Sequence, residues 1–280
     1  MNNKPVIFID SGIGGLPYCI DFNKKNPDEE IWYLADTQNF PYGSRTKDEI
    51  TSIMIDLTEK LINAVDPKII VLACNTATLA ALSDLRVHFK DTQIPFVGTV
   101  PALKPAAEKS RNKKIGVLAT KQTIGALIYS NLADGSCCIY GLAAPDIVEF
   151  VEHKIETASK QEKIDIVKKY IDEFRSKGVD SLVLGCTHFL YLLEEFRQEA
   201  AHNGNDLHTL HIEVFDSIAG ITKRIEFLLD ENGKALRAEK NFKPSNTLLT
   251  SSDTENSSWQ KRADTLNFKL GLLSDICKKF

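Results

Sequence analysis

No apolar run in this chain approaches the roughly 18 residues that a membrane-crossing helix needs, which excludes a helical span. There is no basic excess. Lys and Arg total 34 against 38 Asp and Glu, for a formal net charge of -4. Such a balance argues against a nucleic-acid or anionic-membrane partner. No CxxC occurs, and no His/Cys cluster has zinc-ligand spacing, so a structural metal is not expected. Neither GxGxxG nor GK[ST] is present, which removes the common nucleotide fingerprints. No lysine stands in a setting that resembles a pyridoxal Schiff-base site. The opening MNNKPVIFID lacks the basic, apolar and small-residue regions of a secretory signal and runs straight into a strand-like segment. A cytoplasmic location is expected.

What is present is an ordinary globular composition: 280 residues, 43% hydrophobic and 26% charged, with room for one large domain or two smaller ones. The six cysteines, Cys19, Cys74, Cys137, Cys138, Cys186 and Cys277, read as reduced thiols. The vicinal Cys137–Cys138 pair reads as packing at a strand start. Short apolar runs read as strands at Val6–Ile9, Ile31–Ala35, Ile69–Ala73, Phe96–Val100, Ile115–Ala119, Ile139–Leu142, Leu182–Gly185, Ile212–Phe215 and Thr247–Thr250. Helical periodicity fills the intervals, as in Lys47–Val65 and Ile164–Phe174. Asp230–Lys243 reads as an exposed helix end and linker, Ser251–Ser258 as a loop, and Trp259–Leu273 as a closing helix. The alternation predicts an α/β fold of mainly parallel sheets flanked by helices.

In such sheets ligands bind beyond the carboxyl ends of the strands. The segments there are DSGIGG (Asp10–Gly15), ADTQNFPYG (Ala35–Gly43), CNTAT (Cys74–Thr78), ATKQT (Ala119–Thr123), GCTH (Gly185–His188) and DS (Asp216–Ser217). One phrase occurs twice: VLACNTAT at Val71–Thr78 and VLGCTHFL at Val183–Leu190. Each cysteine sits where a strand hands over to a helix, whose N-terminal N–H groups favour a thiolate. Two bases of one type suit inversion at a carbon: one removes a proton from one face, and the other returns one to the opposite face. A hydrolase would need one nucleophile, one base and an oxyanion hole, leaving the second cysteine surplus. Asp10 and Ser11 suit a ligand ammonium or a partner thiol, and either could also cap the helix starting near Gly15. An imidazolium at His188 would hold a Cys186 thiolate. Tyr42 and Gly43 form a Pro-led turn.

Taken together, DSGIGG, PYG, CNTAT, ATKQT, GCTH and DS resemble the cofactor-independent glutamate racemases of bacteria, over roughly Val6–Leu229. VGTVPALKPAA (Val97–Ala107) is similar to the enterobacterial type. The resemblance implies two pseudo-symmetric α/β domains, residues 1–97 plus 211–280 and residues 98–210, with the active site in the cleft between them. It implies that Cys74 and Cys186 exchange the α-proton of L- and D-glutamate, assisted by Asp10 and His188, without pyridoxal phosphate or metal. Ser11, Tyr42, Gly43, Asn75, Thr76, Thr120 and Thr187 would bind glutamate. Glu152, or Glu149 in the other register of IVEFVEHK, would be an acidic assistant. The product would be D-glutamate for peptidoglycan. Members of the family can require a UDP-muramyl peptide precursor as activator, and its dimers vary in how subunits face each other. Aspartate racemase, a non-catalytic amino-acid-binding relative and a cysteine amidohydrolase are the competing readings.

Overall fold

The computed structural model of the chain describes residues 2–129, 137–201, 211–231, 236–253 and 256–278. In chain order the elements begin with β1 (Val6–Asp10), α1 (Leu16–Lys25), β2 (Ile31–Ala35), α2 (Lys47–Val65), β3 (Ile69–Leu72), α3 (Asn75–His88) and β4 (Phe96–Gly98). There follow α4 (Leu103–Lys109), β5 (Lys114–Ala119), α5 (Lys121–Tyr129), β6 (Cys138–Ala143), α6 (Pro145–Lys154), α7 (Lys160–Ser176), β7 (Ser181–Gly185), α8 (Leu193–Ala201) and β8 (Glu213–Phe215). Last come α9 (Ile218–Glu231), β9 (Thr247–Thr250), α10 (Asn256–Leu266), β10 (Lys269–Leu272) and α11 (Leu273–Cys277). The expected α/β alternation is present, with strand limits within two residues of those read from the sequence. Among the described residues no helix is long and apolar enough to cross a membrane.

Two compact units result, Met1–Thr99 with Ile218–Phe280, and Val100–Ser217. The first holds a six-stranded sheet in the order β10-β9-β2-β1-β3-β4. Every pairing in it is parallel. Its central strands β1 and β3 are buried at every position, as expected of strands covered on both faces. Helix α2 lays Ile50, Met54, Leu57 and Leu61 on this sheet; Ile53, the fifth apolar residue of its helical periodicity, is only partly buried against the same core. Thr46 and Glu49 close a capping box at its start, which contributes about 1 kcal/mol.

The second unit holds a four-stranded parallel sheet in the order β6-β5-β7-β8. This matches the order β2-β1-β3-β4 of the first sheet strand for strand. The repeated phrase is therefore a topological repeat: VLACN and VLGCT are each the third strand of a unit wound the same way.

Three sequence expectations change. The single closing helix expected over Trp259–Leu273 instead starts at Asn256, inside the expected Ser251–Ser258 loop, stops at Leu266, and is followed by β10 and α11. Asn267 adopts a left-handed φ of 56°, which ends the helix, and Phe268 is buried. The segment read as a linker, Asp230–Lys243, is tied down over its described part. Arg237 pairs with Asp230 at 2.7 Å, and Ala238 N–H donates to Glu29 at 3.1 Å. Glu29 also meets Lys68 in a buried ion pair. The Cys137–Cys138 pair is half-buried and exposed respectively, so Cys138 starts β6 without packing into the core.

Candidate active site

In both sheets the chain reverses its winding between the first and third strands, so a crevice opens at the carboxyl ends of that pair. In the first unit the residues on either side are Asp10–Ser11 after β1 and Cys74 after β3. In the second they are Thr120 after β5 and Cys186 after β7. Each cysteine is extended, with φ −136° and −137°, immediately ahead of a helical turn. Cys74 is 7% exposed, Cys186 is 6% exposed, and among the described residues neither is joined in a disulfide. The two helical starts differ. Cys74 leads directly into α3, whereas Cys186 leads into a 3-10 segment, Thr187–Leu192, before α8.

In the first unit Asp10 is fully buried and Ser11 nearly so. The Asp10 carboxylate accepts from Ser11 Oγ and from Gly12 N–H, both at 3.3 Å. No side chain caps α1, so the expected capping by Asp10 or Ser11 is not made; the carboxylate is used within the turn instead. Tyr42 and Gly43 lie in a 3-10 turn, Tyr42–Ser44, after a cis Phe40–Pro41 bond. The Tyr42 hydroxyl donates to Asp36 at 2.7 Å. Burial, then the Asp36 carboxylate, then the charges of Cys74 and Asp10 push its pKa well above the ordinary tyrosine value. Asn75 and Thr76 open α3 and are buried. Among the described residues neither amide atom of Asn75 has a hydrogen-bond partner. A buried amide left unpaired costs about 1–3 kcal/mol, so it marks a place where a polar ligand would be accepted.

In the second unit Thr187 and His188 are buried. Cys186 Sγ lies 3.8 Å from His188 Nδ1, and His188 Nε2 lies 2.6 Å from Glu152 Oε1. Burial opposes charge on His188. The hydrogen bonds and charges of Cys186 and Glu152 outweigh it and hold the imidazolium well above the ordinary histidine pKa. Glu149, the alternative acidic residue, instead pairs with His153 on the exposed face of α6. Thr120 is half-buried; its hydroxyl contacts Thr123 Oγ1 at 3.0 Å and accepts from Thr123 N–H at 3.2 Å, which caps α5. Among the described residues no group of three or more His, Cys, Asp or Glu could hold a metal ion.

The turn between β1 and α1 is packed to the limit. A Cβ on Gly15 would stand 2.7 Å from Ala73 Cβ and 2.9 Å from the Ala73 carbonyl, one residue before Cys74. Gly185, one residue before Cys186, approaches Ala119 in the same way, at 2.9 Å. Gly15→Ala is expected to lower stability by about 1–3 kcal/mol and to displace Cys74, because overpacking forces backbone shifts. Urea denaturation reads the first effect, and an unchanged midpoint would mean that the turn yields without cost.

Sequence reasoning passed over Asp36, Asn39 and Ser251. Asp36 is buried and collects Tyr42, Asn39 and Ser251 on one carboxylate. The acidic residue directly after β2 was a usable signal; its partnership with a residue 215 positions later was not.

The Asp/Glu/Hydantoin racemase family model matches residues 23–224. A glutamate racemase of Roseiflexus sp. (strain RS-1) is 36% identical over 256 residues, covering 90% of this chain and 89% of its own. That of Clostridium novyi (strain NT) is 39% identical over 70% of this chain and 74% of its own. The solved structure of Escherichia coli glutamate racemase, with L-glutamate and the activator UDP-MurNAc-ala, superposes with a TM-score of 0.76. It is 28% identical and covers 96% of this chain and 97% of that one. On its family model and its relatives, the chain belongs to the Asp/Glu/Hydantoin racemase family, among the glutamate racemases.

Proposed function

We propose that this chain interconverts L- and D-glutamate by a two-base proton transfer in which Cys74 and Cys186 serve opposite faces of one α-carbon. The observation that carries the reading is the pair of buried reduced thiols at equivalent strand ends of two like-wound sheets. In one direction a thiolate takes the α-proton, leaving a carbanion-like centre. The other thiol then gives its proton to the opposite face. The roles exchange for the reverse reaction, so no net acid or base is consumed. Donors on the α-carboxylate must stabilise the developing charge. Asn75, Thr76, Thr187 and Ser11 are suited to that task, with Gly43, Tyr42 and Thr120 completing the binding set. Asp10 assists Cys74, and His188, held by Glu152, assists Cys186. The reaction needs neither pyridoxal phosphate nor metal.

On this reading residues 1–97 with 211–280 and residues 98–210 act as the two racemase domains. The enzyme works in the bacterial cytoplasm, alone or as a homodimer, and supplies D-glutamate for peptidoglycan. The E. coli relative is recorded with the activator UDP-MurNAc-ala, which supports including a UDP-muramyl peptide as a candidate activator here.

The test is incubation of the purified chain with L-glutamate in deuterated water and no added cofactor. Optical rotation should decay to zero as the α-proton exchanges for deuterium. The assay is repeated with a muramyl-peptide precursor and with aspartate. Turnover of aspartate alone would assign the chain to the aspartate branch of the family, and no turnover in any arm would overturn the enzymatic reading.

A further inference from the structure

Asp36 has no part in the reaction just described, yet it is the hub of the loop that presents Tyr42 and Gly43. It is fully buried, one residue beyond β2. Its Oδ2 accepts from the Tyr42 hydroxyl at 2.7 Å, and its Oδ1 accepts from the Ser251 hydroxyl at 2.7 Å. Asn39 Nδ2 donates to both oxygens, at 3.1 and 3.0 Å. The Asp36 N–H in turn donates to the Asp10 carbonyl at 2.8 Å. Ser251 also accepts from Gln38 N–H at 2.9 Å, and Thr37 and Ser252 join through their hydroxyls at 2.7 Å. The loop is thus stitched to the end of β9 on one side and to the end of β1 on the other.

A buried carboxylate is tolerated only when its oxygens are satisfied, so this gathering of donors is what keeps Asp36 in place. The reverse also holds. Because the Tyr42 proton goes to Asp36, the phenol oxygen offers only lone pairs in every other direction, and the hydroxyl end of the side chain is tied to the carboxylate. That ring packs in the same buried cluster as Cys74. We propose that Asp36 is a positioning residue for the Cys74 half of the racemisation, acting through Tyr42 to hold that thiol in its reactive placement. The inference rests on the two-thiol reading above.

Asp36→Asn keeps the shape but turns one acceptor into a donor, so Tyr42, Asn39 and Ser251 can no longer all donate to this side chain, and at least one hydroxyl must reverse or move away. Two readouts on the full chain test the proposal. The first is the rate of iodoacetamide alkylation at individual cysteines. Cys74 should react about threefold faster or more, because it is less confined and a neighbouring negative charge is gone. Cys186, in the other unit, and Cys19, fully buried in the same unit, should keep wild-type rates. The second is kcat, expected to fall about tenfold or more in both directions. The Tyr42→Phe/Asp36→Asn double variant should be no slower than Asp36→Asn alone, because both substitutions cut one link.

Unchanged Cys74 labelling, or fully additive kinetic losses, would overturn the proposal. Should Cys19 also react faster, the variant has loosened generally. Ser251→Ala, which removes one donor and leaves the carboxylate, is then read by the same labelling; selective acceleration of Cys74 supports the proposal, and equal acceleration of Cys19 ends it. A wild-type chain that does not racemise would sink the two-thiol reading, a different outcome from a wild-type chain that racemises and an Asp36→Asn variant that matches it.

Discussion

Cys74→Ser and Cys186→Ser should each lower glutamate racemisation about 1,000-fold or more, within the range that a positioned proton-transfer group supplies. The two variants should not be inert in the same way. The surviving thiol can still remove an α-proton from the one enantiomer whose hydrogen it faces, and can return a solvent deuteron to the same face. Each variant should therefore exchange the α-proton of one enantiomer without inverting it, and the two should choose opposite enantiomers. Proton NMR of D- and L-glutamate in deuterated water, one variant at a time, makes the comparison. Loss of activity in Cys186→Ser with a nearly normal Cys74→Ser would point to a single-nucleophile enzyme. Substantial racemisation by both would end the two-thiol mechanism.

The second large effect belongs to the relay behind Cys186. Glu152→Gln removes the charge that balances His188, and kcat should fall about 100-fold. The same substitution breaks a pair whose side chains are only 5% and 11% exposed, which costs about 3 kcal/mol of stability. The pH dependence carries the sign. The folded-state pKa of His188 is raised above its unfolded value of about 6.5. A raised pKa means that the relay's contribution is complete below about pH 6.5 and declines as the pH climbs through the raised folded value. Urea denaturation at about pH 6 and about pH 9 should then show a larger wild-type advantage at the lower pH. An equal advantage at both would mean that the imidazolium is not what Glu152 holds.

Most of the fold could be read from the residues alone, because a parallel strand buried on both faces writes itself as an unbroken apolar run. Val6–Asp10, Ile69–Leu72 and Ser181–Gly185 are such strands, and their burial is complete. The two cysteines were visible for the same reason: each ends one of those runs. One strand was missed at a sheet edge. Lys269–Leu272 is a four-residue edge strand with an exposed lysine, and its apolar residues fit a helix as well as a strand. Only Asn267 signalled the break, since an asparagine can end a helix in the left-handed region. The choice between Glu149 and Glu152 was a question of which face of α6 turns toward His188. Two glutamates three apart are neighbours on a helix surface, so spacing alone does not tell which of them meets His188. Asp36 was hidden more deeply, because one of its partners is fixed by the pairing of β2 with β9.

That pairing also bears on how the chain is made. Trp32–Ala35 lie beside Thr247–Thr250 in the finished sheet, so on the ribosome this side of β2 is without its neighbour until more than two hundred further residues have been added. Residues 100–217 are contiguous and can fold meanwhile. The nascent first sheet, by contrast, carries an open apolar edge, IWYLA, for the whole of that interval, and open edges recruit other chains. The loop that presents Tyr42 is finished only when Ser251 arrives. A ribosome that stalls before that point would release a chain carrying both thiols but lacking the last stitch of the Tyr42 loop, with a sticky edge for chaperones or proteases to recognise.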